Sequence, residues 1–161
     1  MQRPYEDGEI FFYRGQPFAL HRIAETAEPR VSLDDEALLV AASSPDEVRQ
    51  RLLYWYTAET EATIRALLPM WAKKLALRPR SATVRYAKTR WGSCSSSGSI
   101  RFNSRIAMLT DDVAEYIVVH ELCHLKQMNH GPAFWDEMER ALPGSKALRR
   151  KLREQEKNAQ L

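Results

Sequence analysis

Cysteine is scarce in this chain of 161 residues: there are two, Cys94 and Cys123, far apart and each beside polar residues. So few thiols argue against a disulfide-stapled secreted scaffold, and both are read as reduced. Long apolar runs are missing too, since none approaches the roughly 20 residues a membrane span needs. The opening MQRPYEDGEI has no apolar core and no small-residue cleavage site, so nothing marks the chain for export and the cytoplasm is the expected compartment. An excess of one charge is absent as well. The 24 basic residues stand against 21 acidic ones, a net +3, and they are spread out except in the tail ALRRKLREQEK. That gives little support to a nucleic-acid partner, and the tail reads as a solvated C-terminal helix with alternating charges. No repeat and no low-complexity linker interrupts the chain.

What is present is the make-up of a globular domain, 44% hydrophobic and 28% charged, in a length able to bury a core unaided. We expect a single domain over residues 1–161, with a strand-rich part over 1–44, a long helix over 45–78 and a functional core over 80–161. EIFFYRGQPFALHRIAE has two apolar runs around Arg14-Gly15-Gln16-Pro17, which predicts a hairpin turning at the glycine. RVSLDDEALLVAA predicts one or two further strands. In SSPDE a serine cap, an early proline and acids announce a helix over about Asp46 to Leu77. Leu52, Trp55, Tyr56, Ile64, Leu67, Leu68, Trp71 and Leu75 recur along it at three and four spacings as a core stripe, and Pro69 is a possible kink. Two strands are expected near Thr83–Lys88 and Ser99–Asn103, joined by a Ser/Gly-rich turn. LTDDVAEYIVVHELCHLKQM then opens with a Thr-Asp-Asp cap signal and runs on as a helix, and two more helices follow.

Three of the four histidines fall between His120 and His130, in HELCHLKQMNH. On a helix advancing about 100° per residue, His120 and His124 lie on nearly one face, one turn apart, and can chelate a single ion. Glu121 lies about 100° round from His120, where its carboxylate can reach a metal-bound water rather than the metal. The preceding YIVV is apolar all round, so this helix crosses the interior, where two histidines and a glutamate need partners. A metal supplies them. Were the helix to continue, His130 would sit about 240° round and about 9 Å beyond His124, so the chain must turn to use it. Asn129, Gly131 and Pro132 permit that turn. Three imidazoles plus water make an open tetrahedral zinc site of the catalytic kind, one ion per chain. Glu137 and then Glu139 are the alternatives for a third ligand. His21 reads as a strand or surface histidine, and Cys123 as small buried filler beside the site.

The segments RWGSCSSSGSIRFN, YIVVHELCHLKQMNH and HGPAFW together resemble the YgjP-type predicted metal-dependent hydrolases, relatives of the SprT and WLM zinc metallopeptidases. YEDGEIFFYRGQPFALHR resembles that family's glycine-containing strand pair more loosely. The resemblance implies an α+β, zincin-like fold: a small, mostly antiparallel sheet packed on the metal-binding HExxH helix, with a long N-terminal helix and C-terminal helices. Carried over, His120, His124 and His130 would hold zinc and Glu121 would be the catalytic acid/base. The matching Trp91-Gly92-Ser93-Cys94, expected in a β-turn region, would shape the cleft wall. The chain begins almost at the Asp7-Gly8-Glu9 element, before which family members usually carry a further strand region, so an unpaired sheet edge is expected. It departs from the metzincins by having Gln127 where they have glycine.

The expected activity is that of a zinc-dependent hydrolase, a metallopeptidase acting on peptide or protein through a zinc-bound water activated by Glu121. Arg90, Trp91, Asn103 and Asn129 are the candidates for positioning substrate. The motif reports metal and water rather than the bond broken. A nucleoside triphosphate held by arginines such as Arg85, Arg90, Arg101 and Arg105 is therefore the alternative substrate. A metal-stabilised adaptor without turnover is the alternative of another class. No membrane partner is expected, and the sequence does not specify the oligomeric state.

Overall fold

Arg14 and Gly15 both adopt left-handed backbone, with φ of 49° and 82°, and turn the chain between β1 (Ile10–Tyr13) and the antiparallel β2 (Gln16–Ile23). This is the hairpin the glycine predicted, and the residues described by the computed structural model are 3–161. The segment after it splits into β3 (Val31–Leu33) and β4 (Ala37–Ala41). β4 returns parallel to β2, which gives a four-stranded sheet ordered β1-β2-β4-β3.

Helix α1 (Pro45–Leu75) starts as its sequence announces, with the Ser44 hydroxyl accepting a hydrogen bond from the Glu47 amide at 3.2 Å. It runs through Pro69 unbroken and ends at Ala76, which is left-handed. Leu52, Tyr56, Thr60, Ile64 and Leu68 are buried at every fourth position, and Trp55, Leu67 and Leu75 pack at the edge of that stripe. Thr60 is the polar member. Its hydroxyl donates to the Ser104 carbonyl at 2.7 Å and accepts from the Ala107 amide at 3.1 Å.

Beyond α1, β5 (Ser81–Arg85) pairs parallel with β7 (Ser99–Asn103), and β6 (Gly92–Cys94) pairs antiparallel on the other edge of β7. The α+β architecture therefore holds two small mixed sheets, each with one parallel pair, rather than one mostly antiparallel sheet. Gly92, Ser93 and Cys94 form a strand, not the expected turn; the turn is made by the serines after them, where the Gly98 amide donates to the Ser95 carbonyl. A 3₁₀ turn over Ser104–Met108 follows β7 and receives the tip of the first hairpin through amides of Arg14 and Gly15.

Helix α2 (Asp111–Cys123) buries Val113, Ala114, Tyr116, Ile117, Val118 and Val119, so it is surrounded, as its all-apolar lead-in required. The Trp71 indole of α1 donates to Glu115 on it at 3.0 Å. Helices α3 (Pro132–Ala141) and α4 (Ser145–Glu156) close over its other side. Among the described residues no helix is long and apolar enough to cross a membrane.

Candidate metal centre and its cleft

His120 and His124 project from successive turns at the end of α2, and their Nε2 atoms stand 3.3 Å apart. The chain then bends, with the Leu125 and Lys126 amides bonding back to the carbonyls of Leu122 and Cys123. Gly131 and Pro132 start α3 immediately afterwards. This brings His130 Nε2 to 3.2 Å from His120 Nε2, and one nitrogen from each of the three rings lies within 4.8 Å of the others.

The chemistry of this donor set fits a tetrahedral cation. Two nitrogens bound at about 2.0–2.1 Å to one zinc ion stand about 3.3–3.4 Å apart, close to both separations from His120. The His124 Nδ1 lies 3.0 Å from the Gln127 carbonyl, which can only accept, so Nδ1 carries the proton and Nε2 offers a lone pair. Burial, reinforced by the neighbouring His124 and His130, pushes the His120 pKa down to about 3 and keeps that ring neutral. Among the described residues its buried Nδ1 has no hydrogen-bond partner, so packing rather than a polar contact orients it. Phe134 stacks on His124 with ring centroids 4.4 Å apart, and Trp135 stacks on His130 at 5.7 Å. The Arg149 guanidinium lies 4.3 Å over the far partner in this stack, Trp135.

Glu121 is 4% exposed and lines the same cleft as the three rings. Burial raises its pKa to about 7 against the opposing charge of Arg90. A carboxyl near neutrality is matched to taking and returning a proton. The wall facing it is β6, which comes so close that a Cβ on Gly92 would stand 2.8 Å from Glu121 Oε2.

That wall is held from behind. The Trp91 indole donates to Glu156 Oε1 at 3.0 Å, tying it to the end of α4. Arg105, 2% exposed, lies 4.4 Å over the Trp91 ring and donates to the carbonyls of Ala87, Lys88 and Ala159.

Of the residues expected to position substrate, Arg90 and Trp91 line the cleft. Asn103 does not: its amide donates to the carbonyls of Ala87 and Arg90, and its oxygen accepts from the Arg105 amide, so it builds the loop that carries Arg90. Asn129 is exposed and is not among the residues lining the cleft, although its neighbours Met128 and His130 are. Among the arginines proposed for phosphates, Arg105 is spent on backbone carbonyls, and Arg85 and Arg101 line a separate groove on the second sheet. The alternative ligands are occupied elsewhere, Glu137 with Lys126 and Arg140, and Glu139 with the amide of Gly144 and the hydroxyl of Ser145. His21 is a surface histidine 3.9 Å from Asp7. Cys123 is buried, with its thiol pushed up to about 11 by burial.

Sequence reasoning missed Tyr116, Arg149, Arg153 and Glu156, all of which line the cleft. The tail read as a solvated helix lays Leu148 and Leu152 against the core, which turns Arg149, Arg153 and Glu156 toward the cleft of the three histidines. The signal was there in the four-residue spacing of Leu148 and Leu152, hidden by the charges around it.

The family model described as "YgjP-like, metallopeptidase domain" matches residues 1–155. The crystal structure of the metallopeptidase zymogen abylysin from Pyrococcus abyssi is similar with a TM-score of 0.50 and 26% identity, over 56% of this chain and 93% of that one. The zymogen jannalysin from Methanocaldococcus jannaschii, at 20% identity and TM-score 0.51 over 57% of this chain and 95% of its own, shares the fold. No curated protein matches the chain in sequence.

Proposed function

The chain belongs to the YgjP-like metallopeptidase family, and from that premise we propose that it is a zinc-dependent peptidase with His120, His124 and His130 as ligands and Glu121 as general base. The observation that carries the reading is the convergence of three imidazoles beside a buried carboxyl whose pKa lies near neutrality.

When bound, a divalent zinc ion supplies Lewis acidity toward a carbonyl oxygen and makes water acidic enough to react at neutral pH. The rest belongs to the chain. Glu121 takes the proton of the attacking water on a carboxylate oxygen and returns it to the leaving amide nitrogen. Burial keeps its carboxylate basic enough for the first transfer and its carboxylic acid available for the second. The Gln127 carbonyl fixes the tautomer of His124, and Phe134 and Trp135 fix the ring planes of His124 and His130. Strand β6 confines substrate to the side of the cleft that Glu121 faces.

The test is metal content by elemental analysis together with product release from a panel of unstructured proteins and nucleoside triphosphates, for the protein and for Glu121→Gln. One zinc per chain with peptide cleavage that depends on Glu121 is the expected result. Glu121-dependent release of phosphate or pyrophosphate without peptide cleavage would replace the peptidase reading by nucleotide hydrolysis.

A further inference from the structure

Tyr116 sits one helical turn before His120 on α2, with ring centroids 5.8 Å apart, so it extends the ligand face into the cleft. The residue as a whole is 3% exposed and lines the cleft, and among the described residues none hydrogen-bonds its hydroxyl. A hydroxyl that makes no bond within the protein, on a residue otherwise enclosed, and that opens on a cleft is a donor kept for something that enters it.

Cations outnumber carboxyls in the lining of the cleft, by Arg90, Arg149 and Arg153 to Glu121 and Glu156. Arg149 and Arg153, four residues apart on α4, both line it, and Arg90 faces them from the β6 side. Among the described residues the arginines in ion pairs are Arg3, Arg14, Arg30, Arg51 and Arg140, so Arg149 and Arg153 stand in none, while the charge of Arg90 bears on Glu121. Two carboxyls line the cleft, and both have other work: Glu121 faces the reaction centre and Glu156 accepts from the Trp91 indole. Arg149 is moreover held in place over Trp135, which leaves the edge of its guanidinium free to donate.

We propose that Tyr116, Arg149 and Arg153 form a carboxylate-binding subsite beside the metal centre, which selects peptides carrying an acidic side chain or a free C-terminal carboxylate near the scissile bond. The subsite deepens the peptidase reading and rests on it. A guanidinium presents two parallel donors that match the two oxygens of a carboxylate, and the phenol adds a third donor from the floor of the cleft. The lone pairs of a carboxylate would take all three.

The test uses zinc-loaded protein and labelled peptides of one sequence, with Asp or Asn at each position in turn and with a free or amidated C terminus. Cleavage gives kcat and KM, and fluorescence anisotropy with the zinc-loaded Glu121→Gln protein gives Kd without turnover. We expect the acidic or free-carboxylate member of one matched pair to be favoured about tenfold or more in KM and in Kd. Arg153→Gln should abolish that preference and Arg153→Lys retain part of it. Tyr116→Phe should weaken binding of the favoured peptide several-fold with no loss of thermal stability, since its hydroxyl supports nothing in the fold. Preference confined to one internal position identifies a side-chain carboxylate, and preference confined to the free terminus identifies the chain end. Cleavage of neutral and acidic peptides alike would overturn the subsite while leaving a peptidase. Tighter binding of acidic peptides that are never cut would keep the subsite and reject the peptidase. A preference unchanged in Arg153→Gln and Arg149→Gln would overturn the assignment to these residues.

Discussion

Gly92 leaves no room between β6 and Glu121: a methyl group there would meet Oε2 at 2.8 Å, Cγ at 2.9 Å and Cδ at 3.0 Å. The strand is fixed by its pairing with β7, so the side chain of Glu121 must yield. Gly92→Ala is therefore expected to lower kcat/KM by about 10- to 100-fold through a misplaced base. Zinc affinity, measured by competition with a chelator, should stay within about twofold, because no ring of the triad is touched.

The same burial makes Glu121 costly to the fold. Its folded pKa of about 7 lies above the ordinary value of 4.5, so the folded state holds the proton more tightly than the unfolded chain. Stability from this group is fully present below about pH 4.5 and is lost as pH rises through about 7. At pH 8 the ionised carboxylate costs the metal-free protein about 3 kcal/mol. Denaturant melts of the metal-free protein should show Glu121→Gln more stable than the parent at pH 8 and nearly equal to it at pH 4.5. Zinc beside the carboxylate would favour its ionised form, so the difference at pH 8 should shrink in the loaded protein. A difference independent of pH would mean that the pKa of Glu121 is the same in the folded and unfolded chain, and that burial does not raise it.

His130 is exposed and reaches the other two rings only because of the turn after α2. His130→Ala should weaken zinc binding by about 100-fold or more while leaving the metal-free melting temperature within a degree or two. Trp135→Ala, which removes the ring stacked on His130, should weaken zinc binding by about tenfold. Chelator titrations followed by zinc release check both.

How much of this was legible in the sequence differs from element to element. The helix carrying His120 and His124 and the turn bringing back His130 could be read because helical periodicity is local and glycine and proline say where it stops. The hairpin at Gly15 and the stripe of α1 were legible for the same reason. Strand β6 was not: three small residues have no β preference of their own, and they are extended because β7 offers them an edge. Asn103 looked like a free polar group near the site and proved to be structural, since an asparagine after a strand can cap the next turn as well as it can meet a substrate. The arginines of α4 were hidden most completely. Their place over the cleft depends on how that helix docks on α2, and the spacing of Leu148 and Leu152 says that it docks but not where.

Arg105 offers a test of the wall. Its guanidinium is buried with no carboxylate partner in contact, and its charge is met by three backbone carbonyls and the face of Trp91. Arg105→Met should destabilise the protein by about 3 kcal/mol, as those carbonyls lose their donors. The remaining folded fraction should cleave more slowly at unchanged zinc occupancy, which separates damage to the wall from damage to the metal centre.

One of those carbonyls belongs to Ala159, and the acceptor for the Trp91 indole is Glu156, so the wall of the cleft is fastened to the end of α4 and the residues after it. Deleting residues 156–159, or any change that pulls this segment away, would slacken the β6 wall from behind. Such a product would keep all three histidines and would bind zinc like the parent, yet it would behave as a damaged enzyme.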